Sequence, residues 1–132
     1  MESDNTPLRN PANLSVLDYV GELSAHSDVA EALTSAVSRL GDIRLYCPDS
    51  AAYRYVLAST QRVIFALAVG MNTVAFRLDE ALRRRALETG GRALPEAGPE
   101  WVSFTLFRND WPDVDLPFWA LKAYGFARNS GP

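Results

Sequence analysis

Apolar residues along this chain recur with two periods, and the changes from one to the other divide it into helices and strands. Leu14, Leu17, Val20 and Leu23 repeat at helical spacing and predict a first helix, weakened by Gly21. Val29, Leu33, Ala36, Val37 and Leu40 form a firmer apolar stripe. Ser27 or Asp28 serves as its N-cap, Glu31 lies in capping-box reach of Asp28, and Gly41 is its stop.

The period then shortens. "DIRLYC" (42–47) reads as a short strand. "PDSAAYRYVLAST" (48–60) is ambiguous: Asp49 or Ser50 favours a helical turn, whereas Tyr53, Tyr55 and Leu57 alternate; the reading leans to helix. "RVIFALAV" and "TVAFRL", separated by "GMN", predict an antiparallel hairpin, with Gly70 and Asn72 suited to the positive φ of a reversal. Simple alternation places Val63, Phe65, Leu67 and Val69 on one face, with Ile64, Ala66 and Ala68 on the other. In the second strand Val74, Phe76 and Leu78 oppose Thr73, Ala75 and Arg77.

Asp79 caps a further helix, "EALRRRALET", with Ala81, Leu82 and Ala86 inward and Gly90-Gly91 at its end. "WVSFTLF" (101–107) alternates as a half-buried strand. The last helix starts at Asp115, which leaves Pro117 in the first turn, where its missing N–H has no helical partner. Leu116, Trp119, Ala120, Ala123 and Ala127 make its inner stripe, broadened by Phe118, Leu121 and Tyr124, and Arg128 complements the negative helix end.

These elements predict a single α+β domain over 14–132, with an antiparallel sheet of three to five strands packed on one face by helices. Residues 1–13, polar and proline-containing, read as a flexible lead-in. The expected core is Leu33, Val37, Leu40, Ile64, Phe65, Leu67, Val74, Phe76, Leu78, Leu82, Phe104, Leu106, Leu116, Trp119 and Ala123.

Composition supports a globular chain of one-domain size: 132 residues, 48% hydrophobic and 22% charged. The lone Cys47 has no internal disulfide partner and reads as a small buried hydrophobe. The start lacks the basic and apolar regions of a secretory signal, and "VIFALAVGM" is too short to cross a bilayer, so a soluble bacterial protein of the cytoplasm is expected. The net charge of -3 argues against binding duplex DNA chiefly through phosphates.

Candidate chemistry is sparse. Asp110, Asp113 and Asp115 resemble a cation loop in spacing, but Trp111 and Pro112 interrupt it and no glycine or distal glutamate follows. Capping and anchoring the last helix accounts for them better, and no metal or cofactor is expected. His26 is the single histidine and sits just before a helix, which leaves no His-based triad or zinc site with enough members. No nucleophile elbow or phosphate loop is present. The leading expectation is therefore a non-enzymatic interaction or regulatory protein, with a protein partner or a homodimer. Tyr53, Tyr55, Trp101, Trp111 and Phe126 are its candidate contacts, since aromatics dominate interface energetics. A second reading uses Arg77, Arg83, Arg84, Arg85 and Arg92 as a nucleic-acid strip, against the plainer view of a solvated helix face. A third places a small-ligand or enzyme pocket between the sheet and the last helix, where Ala66, Ala68 and Ala75 leave room.

The order of elements carries one resemblance. A helix ending in "RLG", the hairpin "VIFALAVGMNTVAFRLD", a helix ending in "GG", and "VDLPFWALKAYGFA" together resemble the small α+β domains of the TfoX N-terminal and YjbR (MmcQ)-like group, over Val29 to Ala127. That resemblance implies a fold more than an activity, with regulation of bacterial competence as the associated role. "RLYCPDS" stands where the group has an arginine and an "FGG"-like segment, and its usual lysine after the second hairpin strand corresponds at best to Arg77.

Overall fold

The apolar runs on either side of Gly70 lie at the centre of a six-stranded antiparallel sheet in the computed structural model, which describes residues 9–21, 23–47, 55–106 and 114–130. Its strands are β1 (Arg44–Tyr46), β2 (Val56–Thr60), β3 (Val63–Val69), β4 (Thr73–Arg77), β5 (Arg92–Ala93) and β6 (Trp101–Thr105), in spatial order β1-β2-β3-β4-β6-β5. With them are α1 (Leu14–Val20), α2 (Ser27–Val37), α3 (Glu80–Glu88) and α4 (Leu116–Ser130). The α+β class is as expected, but the sheet has six strands where three to five were predicted. The two-residue β5 lies below the length at which alternation is readable. β2 comes from the ambiguous stretch: Val56–Thr60 is a strand, not the helix towards which the reading leaned. It lies between β1 and β3 and is buried along its whole length, which favours its β-branched ends over a capped turn.

Alternation along β3 is broken by a bulge. Ala58 pairs with Ala66 but Ser59 pairs with Ile64, so Phe65 is the extra residue on its strand. One inserted residue exchanges the faces of everything beyond it. Val63, Phe65, Ala66 and Ala68 therefore belong to one core, and Ile64, Leu67 and Val69 to the other, which corrects the strict alternation predicted for this strand. In β4 the predicted sides hold: Val74, Phe76 and Leu78 face the first core and Ala75 the second.

The first core lies under α2 and α4, which pack against each other and across β2 to β4. Val29, Leu33 and Val37 of α2 and Trp119, Ala120, Ala123 and Ala127 of α4 are its helical side. Phe104 bridges Phe76 and Trp119, at centroid distances of 6.2 and 5.5 Å, and Phe65 meets Tyr124 edge-on at 5.8 Å. Of the expected core, Leu40, Leu82 and Leu116 are only partly buried against it, as is Cys47.

The second face of the sheet is not bare. Val16 and Val20 of α1 pack there with Tyr55, Leu57, Ile64, Leu67, Ala97 and Trp101. Helical cover on one face alone was the expectation, but uninterrupted runs such as "VIFALAV" are apolar on both sides and must be covered on both.

Short polar contacts hold the ends of these elements. Asp79 caps α3 as predicted, accepting from Leu82 N at 2.9 Å. α2 is capped by His26, whose Nδ1 accepts from Asp28 N at 3.1 Å, not by Ser27 or Asp28. Gly70, at φ 68, turns the β3–β4 hairpin and is tied to the strand-like approach to α2 by its N–H to Ser24 O and its carbonyl from His26 N.

The β2–β3 reversal is stranger. Gln61 (φ 50) and Arg62 (φ 73) form its two-residue loop, a turn that asks for Asn-Gly and costs other residues about 1–2 kcal/mol each. The N-terminal segment holds it in place. Asn10 and Asn13 donate side-chain N–H groups to Arg62 O at 2.8 and 2.9 Å, and Asn13 Oδ1 accepts from Ile64 N at 2.9 Å. Asn13, predicted to lie in a flexible lead-in, is fully buried, because its amide satisfies hairpin backbone groups that the turn leaves without partners.

Candidate functional site

The sequence-predicted contacts scatter. Tyr53 and Trp111 lie outside the described residues, as do Asp110 and Asp113. Tyr55 and Trp101 are buried in the second core, Trp101 to 3% exposure, where they hold the fold together. Phe126 is half-buried with the Arg77 guanidinium 4.9 Å from its ring centroid. Asp115 caps α4 as predicted, accepting from Phe118 N at 3.2 Å.

The five arginines do not form one strip. Arg77 Nε donates to Glu100 Oε1 at 2.8 Å, and its side chain is 12% exposed, which removes it from any phosphate-contacting surface. Its Nη1 is buried without a hydrogen-bond partner among the described residues. Arg83 donates to Leu78 O at 2.7 Å, and Arg84 pairs with Glu80 at 3.0 Å. Arg85 and Arg92 are exposed. Sequence adjacency misleads here because successive helical positions point about 100° apart, and because Arg77 lies at the end of a strand whose neighbours enclose it.

The alanines predicted to line a pocket separate too. Ala66 and Ala68 face the first core, under α2 and α4, whereas Ala75 faces the second. Ala66 and Ala68 leave α2 and α4 room to pack closely on β3.

What the structure brings together is the outer side of α4. This helix lies between α2 on one flank and Arg85 of α3 on the other. Its inner stripe is consumed by the first core. Opposite that stripe, Phe118, Leu121 and Gly125 follow at i, i+3 and i+7 along one line, with Leu121 exposed, Gly125 half-buried, and Phe118 half-buried against the rim of the first core. Leu121 is 52% exposed, against its predicted role in broadening the buried stripe. Phe118 stands edge-on to Trp119 at 4.9 Å and is bracketed by Arg85 at 5.9 Å and Lys122 at 5.5 Å from its centroid.

Gly125 is the odd member. A mid-helix glycine costs about 1 kcal/mol relative to alanine, and nothing among the described residues asks for it: a Cβ there would meet none of them within 4 Å. At Gly91, by contrast, a Cβ would approach Val102 Cγ1 at 2.7 Å, so that glycine is required internally. The spacing of Phe118, Leu121 and Gly125 is present in the sequence, but it is hidden behind the stronger stripe through Trp119.

Among the described residues one titratable group is displaced from its ordinary value. The Tyr19 hydroxyl, on α1, is raised above its usual 10.0 by burial and, secondarily, by the charge of Glu96. No group of three or more His, Cys, Asp or Glu able to hold a metal occurs among the described residues, and no described helix is long and apolar enough to cross a membrane.

Fold and surface together define an α+β protein whose middle helix is apolar on its outer side as well as its inner one. Comparison with family models, with curated proteins and with solved structures finds no match for the chain.

Proposed function

We propose that this protein is a non-enzymatic interaction domain, and that a partner protein docks on the outer side of α4. The observation that carries the reading is the second apolar stripe, Phe118, Leu121 and Gly125, opposite a stripe already buried. A helix apolar on both sides is a helix with neighbours on both sides. Leu121 supplies a projecting side chain, Phe118 an aromatic edge, and Gly125 a place where another backbone can come close. A regulatory role of the kind the TfoX- and YjbR-like resemblance implies is compatible with such a surface, since regulation by binding needs no reacting group.

Leu121→Asp tests it. The site is exposed, so the variant should melt within about 0.5 kcal/mol of the parent. Immobilised parent protein should retain a partner that the variant does not. Identical sets of bound proteins on parent and variant would overturn the assignment of this surface.

A further inference from the structure

The chemistry of the partner is legible in the charges that border the stripe, an argument that rests on the docking surface proposed above. The chain as a whole is acidic, with a net charge of -3. Along α4 the charged residues are Lys122 and Arg128, both cationic, and no carboxylate lies between Leu116 and Ser130. α3 adds Arg85 from the side. Arg128 is engaged by Asp42, at 3.4 Å, and by Thr60, at 3.2 Å. Arg85 and Lys122 are both exposed, and neither forms an ion pair among the described residues; each is held only against the Phe118 ring. Among the described residues the outer line of α4 in this acidic protein is thus edged by two cations without ion-pair partners, with the exposed Asp115 at its N-terminal end.

We infer that the occupant is an acidic amphipathic helix of another protein. Its apolar residues, at i, i+3 or i+4 and i+7, would lie along Phe118 and Leu121, with its backbone closest at Gly125. Its Asp or Glu residues would flank the seam and meet Arg85 and Lys122. A helix fits better than an extended strand because the surface it meets is itself a helix with a ridge and a gap one turn apart, the form that helix-on-helix packing uses. A second copy of this chain fits worse. Crossing α4 on α4 would bring two Lys122 side chains to one seam, and like charges brought together at an interface oppose assembly.

The test uses three synthetic fluorescent helical peptides that share one leucine seam and carry Glu, Gln or Lys at the flanking positions. Anisotropy titrations against the full chain should rank them Glu, Gln, Lys. The Glu peptide should bind up to about tenfold tighter than the Gln peptide, as two exposed ion pairs allow. That advantage should shrink as salt is raised and vanish in the Arg85→Gln, Lys122→Gln double variant. Gly125→Leu, which fills open space and should fold at least as well, should abolish binding of all three. Equal binding of the three peptides, still lost in Gly125→Leu, would overturn the acidic occupant while leaving the docking surface standing. Absence of peptide binding, with a dimer in sedimentation that Gly125→Leu dissociates, would replace the acidic helix by a second copy. No peptide binding by a monomer would overturn both the inference and the surface.

Discussion

Asn13 illustrates how one polar side chain can be worth more than its type indicates. It has no side-chain role in capping α1, the helix it precedes, and instead satisfies Arg62 O and Ile64 N across the hairpin. Asn13→Ala would leave the buried Ile64 N without its partner, while Arg62 O would keep the hydrogen bond from Asn10. The expected loss is about 1–3 kcal/mol in urea unfolding, as for other orphaned buried polar groups. A loss below half a kcal/mol would show that water replaces the amide. Tyr19 gives a pH dependence with a definite sign. Its folded pKa lies above the unfolded 10.0, so the neutral ring's contribution is complete below about pH 10 and is lost as pH rises through the raised value. Unfolding midpoints should therefore fall on the alkaline side, and Tyr19→Phe should flatten that part of the profile. A parent and variant with parallel alkaline profiles would contradict the assignment. At this scale the sequence is legible where a residue serves its own neighbours, as Asp79 and Asp115 do. It is opaque for Asn13, Trp101 and Arg77, whose partners are distant in the chain or belong to other elements.

The elements were readable from their periods as far as those periods are regular. α2, α3, α4 and the β3–β4 hairpin carry clear patterns and stand close to where the patterns place them. The bulge at Phe65 is different, because an inserted residue leaves the composition of the strand unchanged while reversing its faces. Ala66 therefore lies in the first core, under α2 and α4, and not in the second. Ala66→Leu should force α4 outward and cost about 1–3 kcal/mol by overpacking. It should also alter the near-ultraviolet signal of Trp119, which sits in that core. A neutral substitution would mean that the helix does not bear on this position. The outer stripe of α4 belongs to the same scale. It was visible as a spacing, but only the burial of the opposite stripe reveals that it faces solvent.

In the whole molecule, β3 contributes to both cores, with Phe65 and Ala66 on one side and Ile64 and Leu67 on the other. The sheet is thus a shared wall, and neither core should melt while the other stands. Variants keeping only Trp101, or only Trp119, place one reporter in each core. In each, the fluorescence transition in urea should coincide with the loss of far-ultraviolet circular dichroism, the mark of all-or-none unfolding. Separated midpoints would mean that α1 and its core form an independent unit.

By itself, the order of residues determined the α+β class, the helix caps made by nearby aspartates, the antiparallel hairpin and most of the first core. Those features arise from contacts within a few residues or from a period that survives along an element. Tertiary structure alone decided that the sheet has two covered faces, that Tyr55, Trp101 and Arg77 are interior, and that Leu121 and Gly125 are outside. Whether a side chain is buried depends on which distant segment lies over it, and a local period records only that a stripe exists, not which of two stripes the fold has used.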